Sequence, residues 1–118
     1  MYVENVGEFI RHKDFCTCEP AVLGGEPIQI LSAEVSEHQA QIARWICGHW
    51  QAVLVQCRGF VEAERDTYEL EAQELTSPGV IIGEGDTWSV YFSTEHEHDA
   101  IVGVDFERDI PISLSIGD

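Results

Sequence analysis

The chain predicts an α+β domain, with an antiparallel sheet packed on one long helix and a shorter acidic helix after it. Two observations carry that expectation. Ile42, Ile46, Trp50, Val53, Cys57 and Val61 recur every three or four residues, which is the period of a single helix face. Over the last forty residues the period drops to two. Trp88, Val90 and Phe92 alternate with Thr87, Ser89 and Tyr91, Ala100, Val102, Val104 and Phe106 follow the same rule, and Ile112, Leu114 and Ile116 close the series. Three such segments with short connections read as an antiparallel meander.

Before the helix, Val3, Val6, Phe9 and Ile10 cover a core edge. Residues 15–22 read as short and extended, because the residue before Pro20 is disfavoured in a helix. Gly24-Gly25-Glu26-Pro27 is a turn signal and Ile28–Leu31 a strand, so an N-terminal hairpin or a pair of edge strands is expected. Ser36 is placed to cap the helix, and Gln39 three residues later completes a capping box. Trp45, His49, Leu54 and Phe60 widen the apolar stripe, while Gly48 and Gly59 weaken the helix. Forty helical residues from Ser36 to Leu75 would run about 60 Å, too long for a domain of this size. A core helix to roughly Arg58 is therefore expected, with a break between Gly59 and Thr67 and an acidic helix closed by Ser77-Pro78-Gly79. Pro111 belongs at a strand start or on an edge, which makes the last strand outermost.

The 118 residues fit one domain spanning 1–118, and a 44% apolar fraction is ordinary for a packed core. No apolar run approaches the roughly 18–20 residues that span a bilayer. The first residues lack the basic and apolar segments of a signal peptide, so a cytoplasmic protein is expected. Six basic residues against 22 acidic ones leave a net charge of −16. That field repels nucleic acid and anionic lipid and attracts basic proteins or divalent cations. Four cysteines without a secretory signal read as thiols.

Catalytic motifs are not recognisable: the chain carries no phosphate loop, dinucleotide fingerprint, nucleophile elbow or metalloprotease signature. No catalytic residue and no cofactor is assigned. The densest ligand-bearing cluster is His96-Glu97-His98-Asp99, in which His96, His98 and Asp99 offer imidazole and carboxylate donors for a transition metal. Cys16 and Cys18, with His12 as a third donor, form a second cluster, although their spacing differs from that of recognised zinc sites. These two groups support an alternative reading as a small metal-binding protein or metal-dependent enzyme.

The leading expectation is a non-catalytic acidic binding protein. Glu62, Glu64, Asp66, Glu69, Glu71 and Glu74 crowd negative charge onto about three helical turns, and Trp88 and Tyr91 are candidate anchors for a basic protein partner. A homodimer through the broad helix face or an exposed strand edge is a third possibility.

Leu23–Ile30, the helix from Ser36, Ser77–Ile82, Trp88–Phe92 and Ala100–Asp105 appear in an order that resembles small bacterial domains of unknown function built from an N-terminal hairpin, a long helix and a C-terminal meander. Some such domains confer immunity to bacterial toxins. The resemblance implies an immunity- or inhibitor-type role, with a nuclease toxin as one form of basic partner, and assigns no functional residue.

Overall fold

The computed structural model describes residues 1–67, 75–94 and 101–117. The fold is α+β. Seven strands form one sheet in the order β3-β4-β5-β6-β7-β8-β9: β3 (Ile10–Arg11), β4 (Cys16–Cys18), β5 (Ile28–Ile30), β6 (Leu75–Ile82), β7 (Thr87–Thr94), β8 (Ile101–Glu107) and β9 (Ile110–Gly117). A separate two-stranded ladder, β1 (Tyr2–Val3) with β2 (Gly7–Glu8), precedes them.

Alternation along the strands separates two faces. Ile28, Ile30, Val80, Ile82, Val90, Phe92, Val102, Val104 and Phe106 are almost wholly buried. Gln29, Ile81, Ser89, Tyr91 and Asp105, which lie between them, are half-exposed. Val3, Val6 and Phe9 reach the same core from the N-terminal ladder, where the Cys18 thiol meets the Val6 carbonyl at 3.9 Å. Ile10, expected beside them, is 63% exposed because it pairs with Thr17 on the opposite face.

The sheet is mixed, which corrects the antiparallel expectation. β5 and β6 run parallel, with Ile28 opposite Val80 and Ile30 opposite Ile82. The intervening helices return the chain to its starting side, as a parallel pair requires. The N-terminal strand β5 is therefore interior. The meander itself is antiparallel through β6, β7, β8 and β9, and the last strand lies on the edge as Pro111 requires. Ser77-Pro78-Gly79 does not end a helix. It lies within β6, where the register shifts between Thr76 and Gly79 and Ser77 takes a φ of 52°. A bulge is one of the few places where a sheet accepts proline.

The long helix divides earlier than its sequence suggests, into α1 (Glu37–Gly48) and α2 (Trp50–Glu64). Gly48 lowers helix propensity, and His49 adopts φ −127°. Its backbone N–H turns to the Ile46 carbonyl, and its ring Nδ1 donates to the Trp45 carbonyl at 2.8 Å. The imidazole thus satisfies the acceptor that a continuous helix would have paired with its own backbone. With this interruption, α1 packs on β6 and α2 on β8 and β9. Gly59 lies inside α2, which ends at Glu64 within the expected Gly59–Thr67 window. The acidic helix expected beyond it falls largely on residues 68–74, outside the described residues.

Candidate cleft between the first helix and two strand turns

Ser36 and Gln39 form the expected capping box. The Gln39 N–H donates to Ser36 Oγ at 3.1 Å, and the Ser36 N–H donates to Gln39 Oε1 at 3.0 Å. Gln39 has a second role that its spacing does not reveal. It is 3% exposed, and its Nε2 donates to the Gly83 carbonyl at 3.1 Å, tying the start of α1 to the end of β6. That tie brings His38 against Asp86 in the β6–β7 turn, where His38 Nε2 and Asp86 Oδ1 are 2.8 Å apart.

The same carboxylate faces Arg108 of the β8–β9 turn, with Nε 3.5 Å from Asp86 Oδ2. Arg108 has φ 58°, in the left-handed region that favours glycine. Two contacts hold it there: its N–H donates to the Asp86 carbonyl at 2.8 Å, and its own carbonyl accepts from Trp88 Nε1 at 2.6 Å. A bulky residue kept in a strained conformation by its surroundings is a common feature of functional turns.

These elements enclose a cleft of about 300 Å³. Its walls are Ile42 and Trp45 of α1, its floor is Trp88, and its rim carries His38, Asp86, Arg108 and Asp109. Trp88 stacks on Phe106 with ring centres 4.1 Å apart and meets Trp45 at 6.1 Å, while Trp45 stacks on His49 at 4.5 Å. The aromatic stack makes the walls stiff. Asp86 is already shared by two partners, whereas the exposed Asp109 carboxylate has none among the described residues.

Several residues singled out in the sequence take other places. Trp88 is buried, so it serves as cleft floor and not as a protruding anchor. Tyr91 lies on the opposite sheet face, packed over Gly103, because residues three apart on a strand point to opposite sides. Glu62 and Asp66 are exposed and Glu64 is half-buried at the end of α2; Glu62 pairs with Arg65 at 2.6 Å. Glu69, Glu71, Glu74, His96, His98 and Asp99 lie outside the described residues.

The Cys16/Cys18 ligand set is not assembled. Both thiols point into the core, Cys16 donating to the Ala33 carbonyl at 3.2 Å, while His12 bonds Thr17 Oγ1 at 2.9 Å on the other side of the strand. Burial raises the Cys18 thiol pKa, with Glu19 and Glu8 adding to the effect. Burial likewise pushes Cys47 up to about 11, with Cys18 adding, and Cys57 up to about 12. Such thiols stay protonated near neutrality and make poor ligands and nucleophiles. Among the described residues, no group of three or more His, Cys, Asp or Glu side chains is placed to hold a metal ion. Among the same residues, no helix is long and apolar enough to cross a membrane.

Sequence reasoning missed the cleft because its members come from three distant segments. The available signals were His38 inside the capping box and Arg108-Asp109 as a two-residue turn carrying one of only six basic side chains. Compared with protein-family models, curated proteins and solved structures, the chain matches none.

Proposed function

We propose that this chain is a non-catalytic binding protein whose acidic surface engages a basic protein, with the cleft receiving a cationic side chain from that partner. The supporting observation is the pairing of an unengaged carboxylate, Asp109, with the apolar walls Ile42 and Trp45 in a chain of net charge −16. A lysine or arginine has the matching form, a charged head on an apolar stem. An aromatic wall adds attraction for the cation. The surrounding charge accelerates encounter and makes it salt-dependent. An immunity- or inhibitor-type role against a basic protein such as a nuclease is the biological form of this reading.

The test is capture from native lysate at low and raised salt, followed by size-exclusion of the complex. A basic protein should be retained as a discrete complex at low salt, released at high salt, and held at least tenfold more weakly by Asp109→Asn. Failure to retain a basic protein, or undiminished retention by Asp109→Asn, overturns the proposal.

A further inference from the structure

The inner lining of the cleft and its rim carry different chemistry. Trp45 and Trp88 meet at 58° with ring centres 6.1 Å apart, so two indoles form a corner, and Ile42 adds an aliphatic wall. Each indole is braced by a second ring that does not line the cleft, His49 on Trp45 and Phe106 on Trp88. These three inner side chains offer no hydrogen-bond acceptor, because isoleucine is apolar and an indole N–H only donates. The Trp88 N–H is itself given to the Arg108 carbonyl at 2.6 Å. Oxygen acceptors stand at the rim. Both Asp86 oxygens face a partner, Oδ1 meeting His38 and Oδ2 Arg108, while the Asp109 carboxylate and the Gln41 amide are exposed at the mouth. Two carboxylates thus stand against one guanidinium there, so the rim draws a cation towards walls that cannot accept its N–H groups.

We propose that the cleft selects a methylated ammonium group, carried by a methylated lysine of the basic partner. This inference rests on the function proposed above and specifies the state of the cationic side chain. A bare lysine head carries three N–H donors and an arginine head five. Donors that leave water for walls without acceptors lose hydrogen bonds that the site does not return. Methylation removes the donors and keeps the charge. The charge is then carried behind apolar methyl groups, which pack on the indole faces. A ring face attracts a cation held within about 6 Å of its centre, and tryptophan does so best. Size agrees with this occupant. A cleft of about 300 Å³ is at the small end of ligand sites, with room for one bulky head and part of its stem. Asp109 supplies the counter-charge at the mouth, where it can remain hydrated.

The probes are labelled peptides of one basic sequence that differ at the central residue: lysine, arginine, trimethyllysine, or the uncharged isostere of trimethyllysine with carbon in place of nitrogen. Each is titrated with the full chain at low salt, with the Trp45 indole N–H resonance as a second readout, and choline alone is titrated alongside. The trimethyllysine peptide should bind at least tenfold tighter than each of the other three and shift the Trp45 signal. Trp45→Leu should remove most of that preference, while Tyr91→Leu, on the opposite sheet face, should keep it. The isostere comparison uses the unaltered chain and so decides the matter even where Trp45→Leu fails to fold. No binding, equal binding of trimethyllysine and its isostere, equal binding of lysine or arginine, or full preference in folded Trp45→Leu overturns the proposal. Choline bound as tightly as the trimethyllysine peptide overturns the partner as the source, because the cleft would then serve a free quaternary amine. Equal binding of lysine and trimethyllysine, together with salt-sensitive capture of a basic protein, would leave the proposed function standing and remove this inference alone.

Discussion

Along β7 and β8, neighbouring residues on one strand belong to two different physical regimes. Trp88, Val90, Phe92, Val102, Val104 and Phe106 face the helices and are at most 3% exposed. On the other side, Ser89, Ser113 and Ser115 converge their hydroxyls on Asp105 at 2.7–2.8 Å, and the Tyr91 ring lies over Gly103. The covered face is held by area removed from water, which is non-directional and large. A few directional contacts organise the open face, and water can replace several of them. Loss of a covered side chain should therefore destabilise the whole domain, while a change on the open face should remain local.

The largest expected effect is Phe106→Ala. It empties a fully buried site beneath the Trp88 stack and should cost about 3–5 kcal/mol in urea unfolding. Its neighbour Asp105→Ala leaves three hydroxyls free to turn to water and should cost about 1 kcal/mol. Comparable losses at the two positions would mean that the open face is also covered.

Acid–base linkage separates the faces next, because the raised thiols all belong to the covered side. Cys47 and Cys57 ionise at about 9 when unfolded, and at about 11 and about 12 when folded. Between these values the unfolded chain has already lost the protons that the folded chain keeps, so unfolding becomes easier as pH rises. The thiols' contribution to stability is fully present below about pH 9 and is lost from there towards about pH 12. One unit above the unfolded value, each thiol contributes a loss of about 1.4 kcal/mol. Urea midpoints at pH 8 and pH 10 measure this, and Cys57→Ala should flatten the slope. An unchanged slope in that variant would place the titration elsewhere.

Gly103→Ala probes a close approach on the open face. A Cβ there would fall 2.6 Å from the Tyr91 ring, so the ring must move. Overpacking of this kind costs about 1–3 kcal/mol. In a double-mutant cycle, Tyr91→Ala should recover most of it, since the three nearest atoms to the added Cβ all belong to that ring. An additive cycle would show that the strand backbone, and not the ring, resists the side chain.

These contrasts also explain what the sequence made legible. Period-two alternation reported the meander strands and their buried residues, because each strand sees one dry face and one wet face. The Ser36–Gln39 cap was readable because it is local, satisfied within four residues. The parallel β5–β6 pair was hidden because it joins Ile28–Ile30 to Val80–Ile82 across fifty residues, and neither segment encodes its neighbour's direction. The break at Gly48 was visible only as a propensity dip. What converts the dip into a boundary is the His49 ring, which takes over the Trp45 carbonyl. The cleft was illegible for the same reason as the parallel pair: His38, Asp86 and Arg108 meet only after the sheet has formed.

The smallest effect tests whether the cleft turn is kept strained for a purpose. Arg108→Gly removes the penalty of a bulky residue at φ 58°, worth about 1 kcal/mol. It also deletes a surface ion pair with Asp86, worth at most about 1 kcal/mol. The backbone contacts to Asp86 and Trp88 survive, because they belong to the peptide groups and not to the guanidinium. Stability should therefore stay level or rise by up to about 1 kcal/mol, in contrast to the losses expected of Phe106→Ala, Asp105→Ala and Gly103→Ala. Without the arginine, Asp86 keeps only His38 among the described residues, so the basic partner should be held at least as tightly as by the unaltered chain. Weaker retention of that partner at unchanged stability would mean that the guanidinium itself contacts it. The cleft would then select a segment with its own carboxylate, in place of a purely basic one.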